Sequence, residues 1–368
     1  MDWSQFTPLI LFLTGVSNVL LLKWADRMHS EGIDGVLRNF QHPFIQTGCL
    51  FFGQFLCFLM YEITFKLLRR RQDGSEERNI LTIGNEDYSP RVFMVATICE
   101  VIASILLFTG LYLTTASSYM MLQCAVIIFV GIFSVTYLNQ TLSCYQWIGI
   151  LVLASGAGFI TVNDYYLYKS NSVLTGDLLV LCSLVFHGIK YIQEEKYIKV
   201  LDIPPLRAIG WQGVFGLFIL TVLYVPLNFL KAGPPFGNNA HGVVEDFLDA
   251  IAQMANNFLI VLAHCLFIAS VAIHNYCGAR ITKDISSAAR VRYNTLIAIL
   301  VWSFACFFEW EMWDAWKFVI LLLILCGGWI YRNCYFVPMY RQVLRVYARR
   351  RNGDNQADQI TNQPADVI

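Results

Sequence analysis

The sequence predicts an all-α integral membrane protein of ten transmembrane helices, arranged as two inverted five-helix repeats. Three observations predict it. Apolar residues make up 57% of the chain and charged residues 14%, with a mean hydropathy of +0.53, outside the range of soluble globular proteins. Ten windows each supply the roughly 20 apolar residues that a membrane helix needs. Residues 117–158 also lie on residues 286–327 without a gap. Ser117 and Ser118 fall on Ser286 and Ser287, Ser134 on Ser303, Trp147 on Trp316, Leu153 on Leu322 and Gly158 on Gly327. Both windows run from a Ser-Ser start through an apolar span and a polar break to a Trp and a second apolar span ending on glycines.

The first span, 6–25, has no basic residue before it and no small-x-small cleavage site after it. It runs instead into Lys23, Trp24 and Arg27, so it reads as a retained helix and not a signal peptide. Span 43–65 leads into a charged loop, 66–91, whose Arg69-Arg70-Arg71 and Glu76-Glu77 read as an anchor at the membrane face. Spans 92–114, 117–138 and 143–162 complete a first repeat over 1–165. A second repeat over 166–336 holds spans 175–195, 208–229, 254–275, 288–308 and 313–334. Between its second and third spans, Gly233-Pro234-Pro235 and Gly237-Asn238-Asn239 mark a breaker-rich loop. A short acidic amphipathic piece follows, Val243 to Ala252. Residues 337–368 turn polar and read as a largely disordered tail.

Five spans per repeat is an odd number, so the second copy enters the bilayer from the side opposite to the first. Inverted repeats of this kind build a substrate site at their interface that opens to either face. Of the 26 Lys and Arg residues, only Lys23, Arg27, Arg38, Lys169, Lys231 and Lys317 lie on the side away from the termini. Lys190 lies inside a span, and all the others fall on the side of the termini. The positive-inside rule then puts both termini in the cytosol. Asn139-Gln140-Thr141, the one N-x-Ser/Thr sequon, falls in a cytosolic turn and carries no glycan in that orientation.

Ionisable residues inside spans carry the chemistry, because a charge at the centre of a membrane helix costs about 2.5–3.5 kcal/mol and normally faces a cavity or a partner. Glu100 sits mid-span, where it serves either a site or a structural hydrogen bond. His187 and Lys190 share one helix face, and Glu194 pairs with Lys190 at i, i+4. Lys190 is also near enough to a helix end to snorkel. His264 lies deeper, where a packed neutral imidazole is the plainer alternative to a proton site. Around Ser286 and Ser287 stand Lys283, Arg290 and Arg292. Both arginines fall beyond a helix start, and guanidinium suits bidentate phosphate binding. Gln123 occupies the position that the repeat pairs with Arg292, so one half offers an amide where the other offers a cation. The candidate substrate site is therefore Arg290, Lys283, Ser286, Arg292, Gln123, Glu100, His187, Lys190 and His264.

Other classes find little support. The sequence contains no His-Glu-x-x-His, Asp-His-His-Cys, Gly-x-Gly-Asp or Gly-x-Ser-x-Gly motif, which argues against an enzyme. Eleven cysteines form no C-x-x-C pair, and most lie within spans, where cysteine acts as a small polarisable hydrophobe. No cofactor, metal or nucleic-acid partner is expected. The partners are the lipid bilayer and a small anionic substrate, with a homodimer left open. A non-transporting scaffold or receptor on the same fold is the alternative.

Several stretches carry a family resemblance: residues 114–129 (TTASSYMMLQCAVIIF) continuing to Trp147 and Gly149, Thr175 to Leu179, Glu194-Glu195-Lys196, Pro205-Leu206-Arg207, Glu245 to Asp249, and Thr282 to Arg290. The chain resembles the drug/metabolite transporter superfamily and, more narrowly, the F branch of solute carrier family 35. That resemblance implies ten helices in two inverted repeats, cytosolic termini, a central cavity and a nucleotide-sugar-like transport role. It also implies phosphate and sugar contacts near the start of helix 9, where Lys283, Ser286 and Arg290 match. The chain departs from the pattern at Gln123, where such relatives often carry Arg. Tyr340-Arg341-Gln342-Val343 and the acidic run Glu76 to Leu81 resemble sorting signals, and with the family they favour an endolysosomal or Golgi membrane.

Overall fold

In the computed structural model, which describes residues 6–71, 79–233 and 235–332, almost every apolar window is a helix. These are α1 (Thr7–Arg27), α2 (Pro43–Arg69), α3 (Met94–Leu113), α4 (Ala116–Gln123), α5 (Val126–Leu138), α6 (Cys144–Tyr168) and α7 (Asn171–Val200). They continue with α8 (Pro205–Leu227), α9 (Phe247–Asn256), α10 (Phe258–Asp284), α11 (Ser287–Val291), α12 (Tyr293–Phe307) and α13 (Ala315–Arg332). Eight helical stretches, with α4 and α5 taken as one, are long and apolar enough to cross a bilayer, and residues 315–331 form a shorter apolar helix.

Local chemistry sets the helix boundaries. Pro8, Pro43 and Pro205 sit in the first turns of α1, α2 and α8, where their missing N–H costs nothing. Thr115, Asp246, Asn257 and Ser286 cap α4, α9, α10 and α11 through their side-chain oxygens. Ser143 and Gln146 form a capping box on α6. Asn139 and Lys169 end α5 and α6 in the left-handed region. Because Asp246 is the cap, the amphipathic piece expected from Val243 begins at Phe247 instead.

Two of the expected continuous spans are broken. The window 117–138 splits into α4 and α5 at Cys124 and Ala125, and the window 288–308 splits into α11 and α12 at Arg292. A short antiparallel hairpin, β1 (His29–Glu31) with β2 (Leu37–Asn39), fills part of the first loop. It follows from Gly35, which adopts a positive φ of 72° at its turn.

Helices pair along their lengths as α3 with α7, α1 with α10, α2 with α8, and α6 with α13. The broken helices cross-link these pairs, with α5 on α7, α12 on α1 and α4 on α12. Close approach needs small residues. A Cβ on Gly213 of α8 would lie 2.3 Å from the backbone N of Phe55 in α2. Gly156 of α6 likewise packs against Ile324 of α13, whereas Gly158 faces open space. In the stretch Ser155 to Gly158, Gly156 and Ala157 are buried and turned inward.

The end at which α1 begins is called here the near end. It is strapped by residues 79–93: the Asn85 N–H donates to the Asp202 carbonyl (2.9 Å), Arg207 to the Glu86 carbonyl (3.0 Å) and Arg280 to the Ile80 carbonyl (3.3 Å). At the far end the hairpin docks on α9, where Ser30 donates to the Gln253 carbonyl (2.7 Å) and the Ile33 N–H to Asp249 (2.8 Å). Beside it His42 bonds Glu245 at 2.6 Å. The polar tail and its Tyr340 motif, with the first half of the acidic run from Glu76, lie outside the described residues.

Candidate functional site

Large apolar side chains such as Phe159, Phe218 and Trp316 face outward, while Lys190, Glu100, Glu194 and Arg290 are buried. This is the reverse of a soluble protein and the arrangement expected where lipid surrounds a polar interior. Glu100, Lys190 and Arg290 line a cavity between α1, α3, α4, α7, α10 and α12, with α11 closing one side, and Glu194 lies behind them, paired with Lys190 and Arg290. It measures about 110 Å³, below the roughly 300–1,000 Å³ of typical small-molecule sites.

Helical spacing brings His187, Lys190, Tyr191 and Glu194 to one face of α7, at i, i+3, i+4 and i+7. Lys190 donates to Glu100 of α3 at 2.8 Å and lies 3.1 Å from Glu194. Arg290 of α11 donates to Glu194 at 2.8 Å and to Asn275 of α10 at 3.1 Å. Gln54 of α2 donates to Glu100 at 2.7 Å. Polar partners thus run from Gln54 through Glu100, Lys190, Glu194 and Arg290 to Asn275, across five helices. Lys190 is 1% exposed and Arg290 4%. The Tyr191 ring lies 5.1 Å from the Lys190 ammonium and 4.8 Å from the Arg290 guanidinium, and His187 stacks on it, adding cation–π attraction.

Sequence reasoning missed the feature that seats Arg290. A Cβ on Gly278 would come within 2.3 Å of the Arg290 Nε, so only glycine leaves room for the guanidinium against α10. Tyr191, Asn275, His274 and Ser104 also line the cavity and were missed. Beyond its place in the Glu194-Glu195-Lys196 stretch of the family resemblance, Glu194 was noticed only as a partner of Lys190. The one available signal was the shared α7 face. Nothing in the sequence marked Asn275 or Gly278.

Of the expected site residues, Arg290, Gln123, Glu100, His187 and Lys190 line the cavity, and the other four lie elsewhere. Lys283 pairs with Asp202 (2.7 Å) at the near end. Ser286 is spent capping α11, where it accepts from the Ala289 N–H at 3.1 Å. Arg292, at the joint between α11 and α12, lines a separate cleft with Tyr293, Leu296 and Trp329. It therefore does not face Gln123 across one cavity, because the helix break turns it away. His264 sits near the far end, bonded to the Ile260 carbonyl at 2.7 Å and packed edge-on to Phe40.

A second buried ionic cluster lies at the far end. Lys317, 1% exposed, reaches Asp164 (3.3 Å), Glu311 (3.6 Å), Thr115 (3.0 Å) and Ser117 (3.2 Å). Glu311 also accepts the Ser117 N–H at 3.0 Å, placing a carboxylate on the N-terminus of α4, as Glu195 does on α11 through the Ser287 N–H at 2.7 Å. The sequence reading counted Lys317 only as a basic residue on the side away from the termini.

Comparison with known proteins gives concordant results. Residues 36–162 match the EamA-like transporter family. Solute carrier family 35 member F6 of Homo sapiens is 33% identical over 98% of this chain and 96% of its own length. The Rattus norvegicus protein of the same name is 32% identical over 95% and 93%. An uncharacterized protein of Schizosaccharomyces pombe is 23% identical over 90% of this chain and 98% of its own. One solved crystal structure shares the fold, with a TM-score of 0.57 at 13% identity, covering 89% of this chain and 96% of that one. With near-full-length relatives at one-third identity, the chain belongs to the F branch of solute carrier family 35, within the drug/metabolite transporter superfamily.

Proposed function

We propose that this chain is a secondary transporter that carries a small organic anion, of the nucleotide-sugar or nucleotide-conjugate class, across an intracellular membrane by alternating access. The observation that carries the reading is Arg290. It is a buried guanidinium in a central cavity, seated by a glycine and reached from five helices. A planar donor fork of this kind suits phosphate or carboxylate, and a protein that only scaffolds gains nothing from carrying such a charge in the bilayer.

In this proposal the ten helices form two inverted repeats, residues 1–165 and 166–336, with 337–368 as a cytosolic tail. Under the repeat α1 corresponds to α7, α3 to α10, and α4–α5 to α11–α12. The pairing of α3 with α7 beside that of α1 with α10 supports it, as do the two helix breaks at matching positions. Basic residues support a cytosolic near end. The cavity's present size implies that it widens on loading. The bound anion contacts Arg290 and Lys190, with Gln123 and His187 at its uncharged end, in an endolysosomal or Golgi membrane.

Counterflow into proteoliposomes, with a panel of nucleotide sugars, nucleotides and organic anions, tests the reading. Saturable exchange of one member, lost in Arg290→Ala, is the expected result. If no member crosses, the proposal fails and the non-transporting scaffold takes its place.

A further inference from the structure

The charged cluster in and beside the cavity sums to zero: Glu100 and Glu194 against Lys190 and Arg290. Arg290 already gives one terminal nitrogen to Glu194 and the other to Asn275, with Tyr191 against its face. An anion that takes the Nη1 nitrogen now bonded to Glu194 takes the place of that carboxylate. Displaced, Glu194 keeps only Lys190, at 3.1 Å, and Lys190 is shared with Glu100 at 2.8 Å. Glu100 retains its own partners, Gln54 and Lys190, so Glu194 is the carboxylate that loses. The cluster would then hold one uncompensated negative charge at residues 0–4% exposed, which is costly in a low-dielectric interior. A proton on Glu194 removes that charge.

We propose that Glu194 is the proton site of this carrier and that it couples anion movement to proton movement in the same direction. This rests on the anion reading above. On loading, the anion bonds the Arg290 guanidinium, and a proton from the same compartment converts the Glu194 carboxylate to a neutral acid. On the other side the anion leaves, the proton passes from Glu194 to water, and the carboxylate returns to Arg290. The proton cancels one negative charge of the cargo. A monoanion leaves the cluster neutral with and without cargo, and a dianionic nucleotide leaves it with one negative charge in place of two. That lowers the cost of crossing for the loaded form, and net transport follows, not exchange alone. Charged groups in contact with Glu194 are Lys190 on its own helix and Arg290 from α11. Beyond them Glu100 from α3, Tyr119 from α4, His187 and Tyr191 from α7 and His274 from α10 line the adjoining cavity. Helix α5 contributes apolar Phe129 and Phe133 beside Gly188. Glu195 turns instead to the Ser287 N–H.

The test uses the full chain in proteoliposomes containing a trapped pH dye, with radiolabelled uridine monophosphate and uridine diphosphate glucose as probes. Wild-type uptake should acidify the lumen and rise several-fold for each unit by which the external pH is lowered. Glu194→Gln leaves the cluster positive without an anion, so the loaded form is favoured. It should slow exchange modestly, cut net uptake at least tenfold and abolish the dye signal. Glu194→Asp should restore a dye signal. Flux without acidification overturns the coupling and leaves the anion reading intact. Equal loss of exchange and net uptake in Glu194→Gln, with the protein folded in the membrane, reduces Glu194 to a structural ion pair and also overturns it. Absence of flux for every anion overturns both.

Discussion

Arg290 and Glu194 are buried 2.8 Å apart, held by two helices that the sequence separates by almost a hundred residues. Neither is stable alone at that depth, since removing one partner of a buried pair costs about 3–5 kcal/mol. Arg290→Ala should therefore lower thermal stability in detergent as well as abolish flux. Arg290→Ala/Glu194→Ala should recover most of the stability and none of the flux. Arg290→Lys, a point charge without the planar fork, should retain part of the flux. Full stability of the single variant, measured by unfolding in micelles, would show that the pair is not coupled.

Gly278 offers a test that leaves every polar group in place. Gly278→Ala puts a methyl group where the Arg290 Nε now lies, and overpacking of this kind costs about 1–3 kcal/mol. Flux should fall at least tenfold while the protein still reaches the membrane. Wild-type flux would mean that Arg290 repositions freely.

Much of the fold was legible because bilayer thickness imposes one length on every span. Window 43–65 falls inside α2, and 143–162 begins on the cap of α6 and runs on inside it. The helix breaks were not legible, since Cys124-Ala125 and Arg292 carry neither Gly nor Pro, and the interruption comes from packing. At the site, charge made Glu100, Lys190 and Arg290 visible, for a buried ion announces its cost. Lys283, Ser286 and Arg292 were grouped with Arg290 by proximity in sequence. The end of α10 and the short turn of α11 send their side chains in different directions. Gly278 could not be found, because its role is the space it leaves.

Gly156 and Gly158 of α6 should behave differently. Gly156→Leu collides with Ile324 on α13 and should impair assembly, whereas Gly158 has nothing within 4 Å of an added Cβ. Gly158→Leu should therefore express and transport as wild type. Equal damage from both, measured by expression and flux, would contradict the α6–α13 packing.

Residue accessibility tests the proposed topology. Tags at 72–87 and beyond 352 should be reached from the cytosol, and one at 234–241 should be protected in sealed vesicles. Labelling of all three from one side would exclude the five-plus-five inversion.

At the far end, His241 and Asp246 lie 2.5 Å apart, and their titration sets a pH window. The hydrogen bond to Asp246 raises the imidazole pKa above its usual value. Burial of Asp246 opposes its charged form, but the His241 bond and the Asp249 N–H hold its carboxyl below the usual value. The His241 contribution is thus fully present below its unfolded pKa and is lost as pH rises through the raised folded value. The Asp246 contribution is lost as pH falls through its lowered one. Hydrogen exchange of residues 235–246 should be slowest, after correction for intrinsic rates, in mildly acidic solution and faster above neutrality, and His241→Ala should remove that difference. A pH-independent profile would show that the pair orders nothing.

Each interrupted span belongs to two neighbours at once: α4 leans on α12 while α5 leans on α7. A continuous helix so placed would have to bend, or drag one neighbour with the other. The joint at Cys124-Ala125 acts instead as a universal coupling. It lets the far-end and near-end segments tilt independently while the chain between them stays intact. Under the alternating access proposed above, the cavity wall at Tyr119 to Gln123 would shift with less strain on the larger contact of α5 with α7, so opening one mouth need not loosen the other.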